Sequence, residues 1–173
     1  MTRDQRAVGI GAVSGVASMG LLVWLLSTAL HPPAIADTTG DRIAFALRWA
    51  AVATLPLVFM IAAIGNARAL SDAIDPTLGK ESPRMVVDGR ALDNTLQQFV
   101  LFLVGMLALA VTLPFYRLSI VAAVSITFVV IRLAFWAGYR IKPLYRAFGF
   151  ASTFYMNLGM LLAALWLWAR PGV

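Results

Sequence analysis

The sequence contains no cysteine and a single histidine, His31. The lack of cysteine excludes disulfide bonds, thiolate metal sites and a nucleophilic protein thiol. One histidine cannot supply the repeated ligands of a catalytic zinc site, so we expect no bound metal. Charged residues are also scarce at 13%, whereas a soluble domain has about 25%.

Hydrophobic residues make up 61% of the 173 residues, and they form long runs. A helix needs roughly 20 apolar residues to cross a bilayer. Five runs are long enough, and they cover residues 8–30, 43–64, 90–115, 118–139 and 147–168. The sequence therefore predicts an all-α integral membrane protein with five transmembrane helices. None of the runs is weak enough to favour a four-helix arrangement.

Some segments help to define the limits of these helices. The first run could be a signal peptide, because residues 34–36 read Ala-Ile-Ala, but its length exceeds the roughly 7–15 residues of a signal-peptide core. We expect an uncleaved helix that ends at the prolines of residues 31–33. Pro56 predicts a kink in the second helix. Residues 71–89 are polar and rich in proline and glycine, which predicts an extramembrane loop.

The basic residues divide unequally between the two sides of a five-helix arrangement. Ten lie on the side of the N-terminus: Arg3, Arg6, Arg68, Lys80, Arg84, Arg90, Arg132, Arg140, Lys142 and Arg146. Four lie on the other side: Arg42, Arg48, Arg117 and Arg170. Basic loops remain in the cytoplasm, so the N-terminus is expected there and the C-terminus on the opposite side. The net charge of +6 has this explanation, and we expect no nucleic-acid partner.

Polar side chains form a row on the predicted third helix. Arg90, Asn94 and Gln97 are spaced i, i+4 and i+7, so they share one face where the chain enters an apolar run. On the fourth helix, Arg132 and Tyr139 share a face in the same way. Polar groups inside a membrane are costly and are frequently functional.

A cluster of arginines at one membrane boundary favours an anionic ligand, because the guanidinium group matches carboxylates and phosphates. The alternative requires no ligand. In that arrangement Arg90 pairs with Asp93, and Arg132 extends its side chain to the lipid headgroups.

Three motifs resemble the MAPEG family, the membrane-associated proteins in eicosanoid and glutathione metabolism. Residues 90–97 resemble its R-A-x-x-N-x-x-E signature, residues 132–139 resemble R-x-x-Y-x-x-G-Y, and residues 142–150 are similar to N-P-x-x-R-x-x-G-F. The resemblance implies a four-helix MAPEG-like bundle in residues 43–173. Residues 1–42 would then add an N-terminal transmembrane helix and its connection, as in a five-span MAPEG-like member.

The resemblance also implies a homotrimer that binds glutathione as a co-substrate between subunits, at the cytosolic membrane boundary. By this resemblance, six residues correspond to glutathione-binding positions: Arg68, Arg90, Asn94, Gln97, Arg132 and Tyr139. The thiol-activating arginine of the family corresponds to Arg146, with Arg140 as the alternative.

The sequence departs from the family pattern at two positions, because Gln97 replaces a glutamate and Phe135 replaces a tyrosine. Two hypotheses follow. The chain is a membrane-bound glutathione-dependent transferase or peroxidase that acts on lipophilic electrophiles by arginine-stabilised thiolate attack. Alternatively, it is a catalytically degenerate MAPEG-like protein that binds a lipid or anionic ligand or serves as a scaffold. A transporter is disfavoured, since the sequence has no paired broken helices.

Overall fold

The computed structural model describes residues 1–170, which form α-helices joined by short connections. The helices are α1 (Arg3–Ala29), α2 (Thr39–Ala53), α3 (Leu55–Ala69), α4 (Pro83–Thr112), α5 (Ser119–Ile141) and α6 (Arg146–Trp168). Helices α2 and α3 follow one another as a single bent span. Five spans in the described chain are thus long and apolar enough to cross a membrane, which confirms the predicted helical membrane fold.

The bend between α2 and α3 lies at Thr54, two residues before Pro56. Proline has no backbone N–H, so the regular hydrogen-bond pattern of a helix is interrupted at this position. The N–H of Val58 still bonds to the carbonyl of Thr54, at 3.2 Å, and the chain continues as a helix. The second span is thus divided into two helices at the position where Pro56 predicts a kink.

The start of α4 differs from the prediction, because the helix begins at Pro83 rather than near Arg90. Ser82 caps the helix by accepting a hydrogen bond from the N–H of Met85, and proline is well suited to the first helical position. The non-helical part of the connection is therefore shorter than predicted, and residues 83–89 extend the helix before its apolar run. Gly79, at a φ of 65°, provides the left-handed turn within the remaining loop.

Helix α5 lies at the centre of the bundle and contacts α1, α2, α4 and α6. Phe102 of α4 and Phe128 of α5 are fully buried, with ring centroids 4.5 Å apart. A smaller buried cluster joins Met60, Ala91, Phe135 and Tyr139 near the N-terminal half of α4. This second cluster supports the polar groups described below.

Helix α1 packs against α6 and α5, on one side of the bundle. Gly15 makes the closest approach: a Cβ atom there would overlap the carbonyl of Phe148 and lie 2.6 Å from the hydroxyl of Ser152. Only glycine permits this packing distance, which is typical of small-residue contacts between membrane helices.

Candidate functional site

The side chain of Arg132 is fully buried between α4, α5 and α6. Its Nε and Nη2 donate to the hydroxyl of Thr95 at 3.1 and 2.6 Å, and Nη1 donates to the hydroxyl of Thr153 at 3.2 Å. The guanidinium also stacks on Phe135, 3.9 Å from the ring centroid. The alternative in which Arg132 reaches the lipid headgroups is wrong, because these neutral oxygens hold it inside the bundle.

A fourth hydrogen bond connects Arg132 to the predicted polar row, since Nη2 donates to Oδ1 of Asn94 at 3.0 Å. This bond orients the amide group, because its oxygen is occupied and its nitrogen is left as the donor. Asn94 lines a cavity next to Arg132. Arg132 therefore acts on this cavity through Asn94 and does not itself line it.

The cavity next to Asn94 has a volume of about 370 Å³, within the range of small-molecule sites. Its polar lining comes from α4, α5 and the start of α6, and consists of Arg90, Asn94, Tyr139 and Arg146. Its apolar lining consists of Val8, Phe135, Leu144, Ala147 and Phe150. None of these lining residues is acidic, so the cavity combines positive charge with an apolar wall.

Arg146 lies close to Tyr139 within this cavity. Its Nη1 is 3.5 Å from the tyrosine hydroxyl, and its guanidinium carbon is 5.4 Å from the ring centroid. The long hydrogen bond and the exposed position of Arg146 leave most of its five donors available. A bound anion could therefore contact Arg146 without breaking a strong internal interaction.

Two glycines of the sequence motifs allow this geometry. A Cβ atom at Gly149 would lie 2.5 Å from Cβ of Phe135, so α5 and α6 can only cross here without a side chain. A Cβ atom at Gly138 would lie 3.3 Å from the carbonyl oxygen of Tyr145, where the chain turns back. The close crossing brings Thr153 of α6 to Arg132 of α5.

Arg140, the alternative thiol-activating residue, is held away from the cavity. Its Nε and Nη2 donate to the two carboxylate oxygens of Asp88 at 2.6 and 2.7 Å, and its guanidinium stacks 4.0 Å from the Trp136 ring centroid. The indole N–H of Trp136 also donates to Asp88, at 2.7 Å. Asp88 is thus the carboxylate that compensates an arginine in this region. The alternative in which Arg90 pairs with Asp93 is wrong, because Asp93 is exposed and forms no salt bridge in the described chain.

Arg68 and Gln97 also lie outside the cavity of the single chain. Arg68 pairs with Glu81 at 2.5 Å, beside the loop that precedes α4. Gln97 is exposed on α4, whereas its neighbour Gln98 is buried. The structure thus brings Arg90, Asn94, Tyr139 and Arg146 together at one cavity, with Arg132 behind them.

Sequence reasoning missed the buried partners of these groups. Thr95 and Thr153 accept the hydrogen bonds of Arg132, and they donate their own protons to the carbonyls of Ala91 and Gly149. The amide nitrogen of Asn157 donates to both the carbonyl and the side-chain oxygen of Gln98, each at 2.9 Å. The available signal in the sequence was Arg132 itself, because a buried arginine needs several hydrogen-bond acceptors nearby.

Comparisons with known proteins give the following matches. The MAPEG family matches residues 43–166 of this chain, which leaves α1 outside the matched region. Transmembrane protein 79 of Bos taurus is 26% identical over 125 residues, covering 72% of this chain and 31% of that protein. The protein of the same name from Mus musculus is 25% identical over 125 residues, covering 72% and 32%. The chain spans about a third of the length of these relatives, and no solved structure matches it significantly.

Proposed function

The chain belongs to the MAPEG family, and from this premise we propose that its cavity binds glutathione as a co-substrate. The proposed activity is that of a membrane-bound glutathione-dependent transferase or peroxidase acting on lipophilic electrophiles. One observation carries the proposal. Arg90, Asn94 and Arg146, from two separate helices, line one cavity that has no acidic residue in its lining.

Binding would depend on charge. Glutathione carries two carboxylates, and Arg90 can bind one of them through paired hydrogen bonds of its guanidinium. The amide nitrogen of Asn94, oriented by Arg132, can donate to a second oxygen or a peptide carbonyl. The buried charge of Arg132, which has only neutral partners, adds a positive potential that favours an anion in the cavity.

Activation of the thiol would fall to Arg146. A free thiol has a pKa of about 8.5, and only the thiolate is strongly nucleophilic. A guanidinium next to the sulfur favours the charged form and therefore lowers the pKa of the thiol. The hydroxyl of Tyr139, 3.5 Å from Arg146, can donate a further hydrogen bond to the sulfur.

The second substrate would enter from the membrane. Leu144, Ala147 and Phe150 line the cavity together with Val8, and Phe150 is exposed on the outer face of α6. These side chains offer an apolar surface next to the proposed position of the sulfur. A lipophilic electrophile dissolved in the bilayer can thus reach the thiolate without crossing water.

We further propose a homotrimer with cytoplasmic N-termini, C-termini on the opposite side and the cavity facing the cytoplasmic boundary. Arg68 and Gln97 lie outside the cavity of one chain, but a neighbouring copy could bring such residues to it. Lipid would cover the remaining apolar surface.

A catalytically degenerate MAPEG-like protein is the second candidate. Phe135 lines the cavity without a hydroxyl, its ring face is already covered by Arg132, and the neutral Gln97 replaces a glutamate. Such a protein would bind a lipid or another anionic ligand in the same cavity, or serve as a scaffold, without activating a thiol.

The proposal is tested by titrating the purified protein in detergent with glutathione, using calorimetry for binding and ultraviolet absorbance for thiolate. Removing one hydrogen-bonded charge costs about 1.5–3 kcal/mol, so Arg90→Ala is expected to weaken binding by roughly 10- to 100-fold. Arg146→Ala is expected to retain most of the binding but to lose the thiolate signal and the turnover of a model electrophile.

Arg48→Ala is the matched control, because Arg48 is an exposed arginine on α2, away from the cavity. Equal binding by the wild type, Arg90→Ala and Arg48→Ala contradicts the proposed site. Binding without any thiolate signal in the wild type supports the degenerate alternative.

A further inference from the structure

A second cavity of about 680 Å³ lies at the other end of the bundle. It is bounded by the C-terminal half of α1, the C-terminal ends of α4 and α6, and the N-terminal end of α5. None of the residues predicted to bind glutathione lines it. Its volume lies within the range of 300–1,000 Å³ that is typical of ligand sites.

The walls of this cavity are apolar, and its edge is aromatic. The wall residues include Met19, Val23, Leu109, Ile120, Met160 and Leu167. At the edge, Tyr116, Tyr155 and Trp166 are each more than half exposed, so the cavity opens sideways, toward the membrane. Tyrosine and tryptophan are enriched where the acyl chains of a bilayer meet the headgroups, which places the opening near that depth.

Two arginines lie at the same edge. The guanidinium carbon of Arg170 is 3.5 Å from the centroid of the Trp166 ring, and that of Arg117 is 5.5 Å from the centroid of Tyr116. Within residues 1–170, neither arginine forms a salt bridge. The cavity thus presents an apolar interior with two cations at its mouth, which is complementary to an anionic headgroup attached to an acyl chain.

Two glycines create part of the space. Gly20 of α1 and Gly159 of α6 both line the cavity, and a Cβ atom at either position would meet no atom within 4 Å. Glycine costs about 1 kcal/mol relative to alanine inside a helix. Unlike Gly15, these glycines are not required for helix contact, so their missing side chains enlarge the cavity instead.

We propose that this cavity binds one acyl chain of an anionic membrane phospholipid, whose phosphate contacts Arg117 and Arg170. The site is separate from the proposed glutathione cavity, and it depends on α1, which supplies Met19, Gly20 and Val23 to its wall. The bound lipid would fill the space between α1 and the other helices.

Native mass spectrometry of the detergent-purified protein tests the proposal, with phosphatidylglycerol and phosphatidylcholine of identical acyl chains as probes. The wild type is expected to retain phosphatidylglycerol preferentially. A basic residue near a lipid headgroup contributes about fivefold in binding, so replacing both Arg117 and Arg170 by glutamine is expected to remove the preference. Gly20→Leu and Gly159→Leu are expected to lose the retained lipid of both kinds.

Gly65→Leu is the matched control, because an added Cβ there also meets no atom within 4 Å and Gly65 lines none of the cavities described. It is expected to retain lipid like the wild type. Equal retention of the two lipids by the wild type overturns the role of the arginines, and this comparison needs no variant to fold. Equal retention by Gly20→Leu, Gly159→Leu and the control overturns the cavity as the binding site.

Discussion

Arg132 and Arg140 lie eight residues apart on α5 and differ in how their charge is compensated. Arg140 is paired with the carboxylate of Asp88, whereas the buried Arg132 is bound by two hydroxyls and one amide oxygen. A buried cation without a carboxylate is costly to the fold. The charge of Arg132 therefore has no evident structural benefit, which agrees with a role in attracting an anion to the cavity.

Removing the cation from the Arg140–Asp88 pair is expected to destabilise the protein. In Arg140→Met the carboxylate of Asp88, which is 3% exposed, would remain buried with only Trp136 as a partner. Breaking a buried pair costs about 3–5 kcal/mol, and because Arg140 is partly exposed we expect about 3 kcal/mol. Thermal unfolding in detergent measures the loss, and adding Asp88→Leu to this variant is expected to restore much of it.

The matched comparison is Arg132→Met. No carboxylate is left without its partner, and Thr95 and Thr153 still bond to backbone carbonyls. We therefore expect a change in stability of less than about 1 kcal/mol, because replacing buried charges by apolar residues is often neutral. Glutathione binding is expected to fall, since Asn94 loses the bond that orients it. A loss of stability as large as that of Arg140→Met would instead show that Arg132 is structural.

Part of this pattern could be predicted from the sequence. The spacing of Arg90 and Asn94 placed them correctly on one face, and the motif resemblance added Tyr139 and Arg146 to the same site. The pairing of Asp88 with Arg140 could not be predicted, because the two residues are 52 positions apart and several arginines compete for one carboxylate. The role of Thr95 as an acceptor for Arg132 could not be predicted either, because a threonine inside a helix commonly bonds to a backbone carbonyl of its own helix.

At the scale of helices, α1 forms a wall of both cavities. Val8 lines the cavity that contains Arg146, and Gly20 lines the larger cavity at the opposite end. Between them, Gly15 holds α1 closely against α6. The position of α1 therefore determines the shape of both cavities, although α1 lies outside the region that matches the family.

The packing of α1 can be tested by an engineered disulfide, since the chain has no cysteine of its own. A Cβ atom at Gly11 would lie 3.6 Å from Cβ of Ala147, and disulfides require about 3.5–4.5 Å. The variant with Gly11→Cys and Ala147→Cys is expected to form an intrachain disulfide on mild oxidation, detected by mass spectrometry. Gly15→Leu, added to this variant, is expected to prevent the bond by moving α1 away from Phe148.

Gly9→Cys with Ala147→Cys is the control pair. A Cβ atom at Gly9 contacts only the end of the Met1 side chain, at 4.0 Å, so this pair is expected to remain reduced. Equal oxidation of the two pairs would mean that α1 moves freely over α6, and the proposed cavity walls would then be incorrect.

The limits of the helices were predictable where apolar runs and prolines coincide, as at the bend before Pro56. The start of α4 was not predictable in this way, because the prolines, glycines and charges of residues 71–89 predict a single loop up to Gly89. A helix can extend beyond the bilayer, since water accepts its polar side chains and a serine cap satisfies its first N–H groups. Ser82 followed by Pro83 was the available signal for the correct start.

At the scale of the whole molecule, exposed apolar side chains lie on the outer faces of several helices. They include Val13 on α1, Val58 on α3, Val100 and Val104 on α4, and Leu162 on α6. Helix α1 covers part of α5 and α6, so copies of the chain are expected to meet through the α3–α4 side. Gln97 lies on this side, one turn from Val100, and a neighbouring copy would give its amide group a polar partner away from lipid.

The proposed trimer therefore predicts that a bulky substitution disrupts the assembly on the α3–α4 side but not on the outer face of α1. Val100→Trp places a large side chain within the expected contact between copies, whereas Val13→Trp adds one that faces lipid, where an aromatic ring is tolerated. In native mass spectra from mild detergent, the wild type and Val13→Trp are expected at three times the 18.7 kDa chain mass. Val100→Trp is expected to shift the protein toward single chains, because overpacking costs about 1–3 kcal/mol at each contact. If Val13→Trp is the variant that dissociates, the copies meet through α1, and the cavity walls belong to the interface. If the wild type is found as a single chain, the proposed trimer is wrong.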